Sequence, residues 1–462
     1  MATSKGGYVS GGFDILKAPN APTITSVTTG IGSASVAFTA PADVGGGAIT
    51  SYTITAVNES TGASTGAVGT ASPITISPGG GTFKIRAAAT NIYGPGRVSQ
   101  YETGKQLFSG ATAWGWGYNG NGQLAQNNLI FRSSPVQVGA LNTWSFISGG
   151  GYQVAAVKTD GTLWSWGRGN DGAIGDGTTI SRSSPVQIGA LTNWYQVSAG
   201  SNFTASIKTD GSLWTWGSNQ FGKLGDGTIL DKNSPVQIGT LTNWSQVSAG
   251  QVHSASVKSD KTLWTWGSNS VGQLGQNDLI SRSSPVQVGA LTNWMQVSVA
   301  EEQSLAVKTD GTLWAWGSGA NGRLGDGAVT NRLSPVQVGA LTNWSEVAAG
   351  SQHTIAVKSD GTLWAWGSNG SGQLGDGTTI SRSSPIQVGA LTNWSKVDGG
   401  RFHTLSVKVN GTLWAWGRNI TNGQLGDGTT VDKSSPVQIG ALTNWSMVSA
   451  GRYSSAALYG VV

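Results

Sequence analysis

A four-residue phrase, Trp-x-Trp-Gly, begins at Trp114, Trp164, Trp214, Trp264, Trp314, Trp364 and Trp414, so successive copies are 50 residues apart. A third tryptophan closes a Leu-Thr-Asn-Trp phrase (Leu-Asn-Thr-Trp in the first copy) at Trp144, Trp194, Trp244, Trp294, Trp344, Trp394 and Trp445. Together these are all 21 tryptophans of the chain, and none precedes residue 114. A fixed period of this length means a repeat architecture, in which one unit cannot bury its apolar face alone and must stack on its neighbours.

One unit, taken from residue 344, reads Trp-Ser-Glu-Val-Ala-Ala-Gly, Ser-Gln-His-Thr-Ile-Ala-Val-Lys, Ser-Asp-Gly, Thr-Leu-Trp-Ala-Trp-Gly. A glycine-rich stretch, Ser-Asn-Gly-Ser-Gly-Gln-Leu-Gly-Asp-Gly-Thr, and then Ser-Pro-Ile-Gln-Val-Gly follow. Ile355 and Val357 fall on one side of an extended segment, Ala356 and Lys358 on the other. Asp-Gly at 160, 210, 310 and 360, and Asn410-Gly411, read as hairpin turns, with Lys261 breaking the pattern after Asp260. Trp364 and Trp366 share a face, and the tryptophan pairs are expected to fill wedges between neighbouring units. Ser-Pro-(Val/Ile)-Gln-(Val/Ile) reads as a further strand with proline at its start, where no donor is needed. Each unit is thus predicted to be a small antiparallel sheet of four short strands, one blade of a propeller. The chain enters at Ala111–Gly117, the second half of a hairpin, and leaves at Ser454–Leu458, the first half, so the two ends are expected to complete one split blade.

The motifs Asp-Gly-x-Leu-Trp-x-Trp-Gly, Asn-Gly-x-Gly-Gln-Leu-Gly-Asp-Gly-Thr and Gly-x-x-His-(Thr/Ser), the last at 250–254, 350–354 and 400–404, run in register through the repeats. Residues 107–462 thereby resemble the regulator of chromosome condensation family of seven-bladed β-propellers. The best-known member of that family catalyses nucleotide exchange on a small GTPase, using an insertion and specific loop residues. Here no unit carries an insertion beyond one extra residue near Ile420–Asn422, and the resemblance assigns no exchange residue.

The segment before the repeats differs in kind. Ala34–Phe38, Ser51–Ala56 and Phe83–Ala87 alternate with period two, separated by Gly45–Gly47, Ser60–Gly62 and Pro78–Gly81. This pattern predicts a β-sandwich over 18–106. With Ala21-Pro22, Ala40-Pro41, Ala89-Thr-Asn91 and Gly94-Pro-Gly96, it resembles a fibronectin type III domain, a module that acts as a spacer or adhesive unit. Phe38 stands where the buried tryptophan of such domains is expected, and Phe83 in the tyrosine-corner slot. Residues 1–17 carry scattered Tyr8, Val9, Phe13, Ile15 and Leu16 among glycines, and read as a tail or an attachment arm. The expected fold class is therefore all-β: a seven-bladed propeller with a split closing blade behind a fibronectin type III-like sandwich.

Several function classes lose support on the residues. There is no cysteine, hence no thiol nucleophile and no cysteine metal site. The net charge of +5 is spread by the repeat and forms no polybasic run, so no nucleic-acid partner is expected. Neither a signal peptide nor a stretch long enough to span a membrane is present. Asp176, Asp226, Asp326, Asp376 and Asp427 occupy equivalent turns, with Gln126 and Gln276 in two units; one carboxylate per unit makes a turn, not a calcium site. His253, His353 and His403 share a slot held elsewhere by Gln153, Phe203, Gln303 and Ser454, which marks packing and hydrogen bonding. Gly62–Gly66, Gly167–Gly172 and Gly317–Gly322 match short catalytic or dinucleotide motifs but lack the strand-to-helix setting those need. No catalytic residue, metal or cofactor is expected.

What varies between units lies where the strand after Gly-x-x begins and the Trp-x-Trp-Gly strand ends. There the sixth unit has Arg401, Phe402 and Arg418, the last has Arg452, Tyr453 and Tyr118, and the first has Tyr152 and Arg168. Ring closure makes these units neighbours, so the eight residues are expected to form one binding patch, suited to an anionic or glycan ligand. Glu301 and Glu302 fall on the distant fourth unit, without the facing carboxylate a glycan hydrolase needs. The leading functional expectation is a non-enzymatic phage virion component (fibre, tail or capsid surface) or a cell-surface component. It would meet other virion or surface proteins through the arm and a host protein or glycan through the propeller loop face. The alternatives are a cytoplasmic regulator of exchange-factor type and a polysaccharide-acting propeller enzyme.

Overall fold

The computed structural model describes residues 17–29, 34–59, 61–78, 81–107, 111–140 and 143–460, and the expected arm, apart from Lys17, lies outside them. The chain divides into two compact units, Met1–Gly110 and Ala111–Gly460. In the first, Thr23–Thr29, Ala34–Thr39 and Ile74–Ile76 form a three-stranded sheet. Ser64–Gly69, Ile49–Asn58, Gly81–Asn91 and Gly94–Val98 form a second, which Glu102–Leu107 joins through Gly81–Asn91. The period-two alternation becomes a one-sided core of Val36, Phe38, Tyr52, Ile54, Phe83 and Ile85, with the Phe38 ring centre 4.7 Å from that of Tyr52 and the rings tilted by 49°. Buried Asn91 ties two loops to the sheet, its Nδ2 donating to Lys17 O at 2.8 Å and Val44 O at 2.9 Å.

The second unit is built of four-stranded antiparallel sheets, seven among the described residues. Six are continuous in sequence; in one of them the strands are Trp344–Ala349, His353–Lys358, Leu363–Gly367 and Arg382–Gln387. Helix is confined to three one-turn 3₁₀ pieces among the described residues. The seventh sheet orders Arg132–Gln137, Thr112–Gly117, Ser454–Tyr459 and Trp445–Ala450, so the two ends of the unit complete one another as the hairpin halves predicted. The proline is not at the start of its strand. Pro385 lies inside Arg382–Gln387, an edge strand, where the register against Leu363–Gly367 shifts between Ala365 and Gly367. A missing N–H is tolerated at an edge irregularity of this kind.

Because each sheet is covered on both faces by its neighbours, the second strand is buried at every position, as in His353–Lys358. The second tryptophan of each pair fills the wedge: Trp366 is fully buried among Leu305, Val307, Leu313 and Leu324 of the preceding sheet. Trp364 stays half-buried and sets its ring against Trp344. The lysines that recur two residues before the turns are buried on these rings. Lys358 is buried with its ammonium 3.7 Å from the Trp364 ring centre and 4.8 Å from that of Trp344, and Lys158, Lys208, Lys258, Lys308 and Lys408 repeat the arrangement. Desolvation lowers the Lys358 pKa, with Asp360 opposing.

Neighbouring sheets are also clasped by side chains. Ser148, Ser198, Ser248 and Ser298 each accept, at 2.9–3.0 Å, a backbone N–H of the next sheet. Across the closing seam Gly149 N donates to Ser449 Oγ at 2.9 Å. Ala348 interrupts the series, and Asp398 compensates within its own strand: Gly399 N donates to Oδ1 at 2.9 Å, while Ala450 N of the next sheet donates to Oδ2 at 2.8 Å.

Candidate functional site

Three backbone hydrogen bonds fix the place of the predicted patch. Arg168 N donates to Tyr152 O at 2.9 Å, Arg418 N to Phe402 O at 2.8 Å and Tyr118 N to Tyr453 O at 2.9 Å. Each bond joins the two ends of one hairpin, so all eight residues emerge at the same end of their sheets. The structure brings them together. The Tyr118, Tyr152 and Tyr453 rings meet pairwise at 6.1–6.5 Å. The guanidinium of Arg452 lies 5.5 Å from the Tyr152 ring centre and 5.6 Å from that of Tyr453. Arg401 lies 5.0 Å from Phe402 and 5.9 Å from Tyr453, and its Nη1 donates to Tyr453 Oη at 2.8 Å. Arg418 sits 5.5 Å from Phe402 and Arg168 5.6 Å from Tyr152. All eight are half-buried. Phe131, which the sequence reading missed, extends the cluster 4.7 Å from Tyr118 with 40% of its surface exposed. It lies in the long loop of a different strand pair, and only its break from the Ser-Arg of other units (Ser181-Arg182, for example) could have flagged it.

Charge separates this sector from the rest of the ring. Six of the seven basic residues before the Ser-Pro strand are ion-paired: Lys232 with Asp226, Arg282 with Asp278, Arg332 with Asp326, Arg382 with Asp376, Lys433 with Asp427, and Arg182 with Asp176; Arg132, in the unit of Gln126, has no salt bridge among the described residues. The aspartates are tied by their own turns as well, Asp376 Oδ1 accepting from Thr378 N and Asn369 Nδ2 at 3.0 Å. Where Gln276 takes the aspartate's place, its Nε2 donates to Gln287 O at 3.1 Å and Arg282 turns to Asp278 instead. By contrast, none of Arg168, Arg401, Arg418 and Arg452 forms a salt bridge among the described residues. Partial burial opposes ionisation of the Tyr453 phenol, yet hydrogen bonds and charge from Arg452 and Arg401 outweigh it and hold the pKa below the ordinary tyrosine value.

The patch borders a central cavity of about 150 Å³ whose wall includes Ser148, Glu301, Asp398, Arg401, Ser449 and Arg452. The Asp398 carboxyl faces this cavity, and desolvation raises its pKa to about 6 against the hydrogen bonds it accepts. Glu301 and Glu302 act electrostatically on Arg323, whose own pKa burial lowers. The histidines are inter-sheet clasps. His353 Nε2 lies 3.0 Å from Thr404 Oγ1, which in turn donates to Gln373 O at 2.8 Å. With the hydroxyl proton so engaged, Nε2 carries the hydrogen and Nδ1 is left buried without a partner. Burial lowers the pKa of His253, His353 and His403 to about 3, so they are neutral. Gln153 and Gln303 clasp from the same slot, Gln303 Nε2 donating to Gly350 O and His353 O at 3.0 Å. Among the described residues no three His, Asp or Glu converge as metal ligands. None of their helices is long and apolar enough to cross a membrane.

Residues 239–460 match the model of the RCC1-like domain. Residues 160–207 and 210–257 match the regulator of chromosome condensation (RCC1) repeat, and 194–223 a second model of that repeat. These matches support the regulator of chromosome condensation repeat family and an RCC1-like propeller fold. No curated protein matches the chain. Among solved structures, human WBSCR16 is similar at a TM-score of 0.69 and 20% identity, over 76% of this chain and 99% of that one. Prp20p from Saccharomyces cerevisiae is similar at 0.66 and 20% identity, over 77% and 93%. Yeast RCC1 (Prp20), in a structure with Kap60 bound, gives 0.67 and 19%, over 76% and 89%. At these identities the likeness speaks for the fold.

Proposed function

We propose that this chain is a non-enzymatic binding protein whose propeller holds a protein partner on the arginine–aromatic sector. The seven sheets act as the blades of one closed ring with a split closing blade. Residues 18–106 serve as a fibronectin type III-like spacer, and residues 1–17 as an attachment arm. One observation carries the reading: four arginines are left without carboxylates and set against aromatic rings on three adjacent sheets, whereas six of the seven basic residues before the Ser-Pro strands are paired with carboxylates. Half-buried rings braced by guanidinium groups form a preorganised contact surface, the kind that supplies binding hot spots.

The comparisons favour a protein partner. Prp20p has binding properties to Gsp1p and histones, and yeast RCC1 (Prp20) is bound by Kap60. This supports a cytoplasmic regulator of exchange-factor type over the virion or cell-surface component, and a protein over a glycan. Cross-linking in an extract of the source cells, followed by mass spectrometry, tests it. The intact protein should cross-link a defined partner through the 118/152/402/453 sector, and Phe402→Ala with Tyr453→Ala should abolish that link while the melting curve stays unchanged. Undiminished cross-linking by the folded double variant would reject the docking face.

A further inference from the structure

Within the patch, one corner is chemically one-sided. Tyr453 Oη accepts a hydrogen bond from Arg401 Nη1, which leaves its own proton free to donate. Arg452 Nε is enclosed and has no hydrogen-bond partner. Arg401 and Arg452 also form part of the wall of the central cavity, with Glu301 elsewhere on the same wall. The corner therefore gathers two guanidinium groups and a phenol, all donors, with no carboxylate in salt-bridge reach among the described residues. An enclosed unpaired guanidinium N–H is costly unless a ligand satisfies it.

We infer that the Arg401–Tyr453–Arg452 corner is a subsite for a carboxylate-bearing side chain of the protein partner, an Asp or Glu in an acidic segment lying over the tyrosine cluster toward the central cavity. This rests on the docking reading above and adds what the partner must present. A carboxylate is an acceptor only, and it matches a guanidinium fork with two parallel bonds. A neutral sugar offers hydroxyls that need acceptors as well as donors, and these three groups supply few. The adjoining rings of Tyr118, Tyr152 and Phe402 suit the apolar parts of a peptide.

The test is fluorescence anisotropy on the full chain, with a labelled, end-blocked oligo-glutamate peptide, an oligo-lysine peptide and a phosphoserine peptide of the same net charge as the first. The wild type binds oligo-glutamate and not oligo-lysine. Arg401→Ala with Arg452→Ala weakens binding by more than about tenfold, and Tyr453→Phe by about tenfold, as for lost hydrogen bonds to a charged group. Arg282→Ala with Arg332→Ala removes the same charge from ion-paired positions and leaves the affinity within about twofold. An equal loss in that control, or no binding by the wild type, overturns the inference. Tighter binding of the phosphoserine peptide overturns it too, by reassigning the corner to phosphate. If oligo-glutamate fails while Phe402→Ala with Tyr453→Ala still abolishes the cross-linked partner, the carboxylate subsite alone falls. If that double variant keeps its partner, the docking face falls.

Discussion

The two compact units solve the same problem, an all-β chain with an interior to fill, in opposite ways. In the first, the strand Ala34–Thr39 buries every second residue, and its core is the apolar interior between two sheets. In the second, strands such as Phe203–Lys208 and His253–Lys258 are buried throughout, because a sheet stacked between two others has no solvent face. Polar groups therefore cannot be sent outward, and Thr204, Ser206, His253 and Lys258 are buried and given partners instead. Period two signals a core only where one face meets water. In the stacked sheets the alternation separates two kinds of interior.

The sharpest way to break the comparison is to remove one end of the second unit. Deleting Ser446–Val462 takes away half of the closing sheet and bares Thr112–Gly117. The second unit should become insoluble or lose its thermal transition, while the first keeps its own, read by calorimetry and circular dichroism. A soluble truncation melting like the full chain would refute closure by the split sheet.

Next come single core aromatics. Trp366→Ala should cost roughly 3–5 kcal/mol, felt across the seam it fills, whereas Phe38→Ala should cost about as much but melt only the first unit. Trp364→Ala, half-buried beside Lys358, should cost less than Trp366→Ala. Equal losses at Trp364 and Trp366 in denaturant unfolding would contradict the wedge assignment.

Acid should separate the units further. The three clasp histidines fall from 6.5 to about 3 on folding, so below 6.5 the unfolded chain takes up more protons and the second unit loses stability as pH falls toward 3. Asp398 works the other way. Its pKa rises from 3.8 to about 6, so its contribution is full below 3.8 and is lost as pH rises through 6. Ala348→Ser with Asp398→Ser restores the serine series and should stabilise the protein above pH 6, with no gain below 3.8. The smallest effect is expected at Lys261, which holds the turn position of the Asp-Gly pairs at φ 65°. Lys261→Gly should stabilise by about 1 kcal/mol, measured as a rise in Tm.

Much of this was legible in the residues. The tryptophan period, the turn pairs and the split ends led to stacked four-stranded sheets with a joined closing sheet. Counting along the ring led from Tyr118, Tyr152, Arg401 and Tyr453 to a shared sector. Less legible was which side chains of one unit meet. Lys358 and Arg382 both recur with the repeat, yet one is buried on tryptophan rings and the other pairs with Asp376. Phe131 belongs to the patch only through the path of a long loop.

By itself, the sequence determined the repeat, its strand pattern and the identity of the residues at each sheet end, since these follow from local periodicity, turn chemistry and the spacing of bulky rings. Only the tertiary structure decided which charges are spent and which are free. A guanidinium paired with Asp376 and one left open beside Tyr453 are the same residue type. Asp376 is brought to Arg382 by the fold of one loop, and Tyr453 to Arg401 by the meeting of two sheets, and a count along the chain contains neither distance.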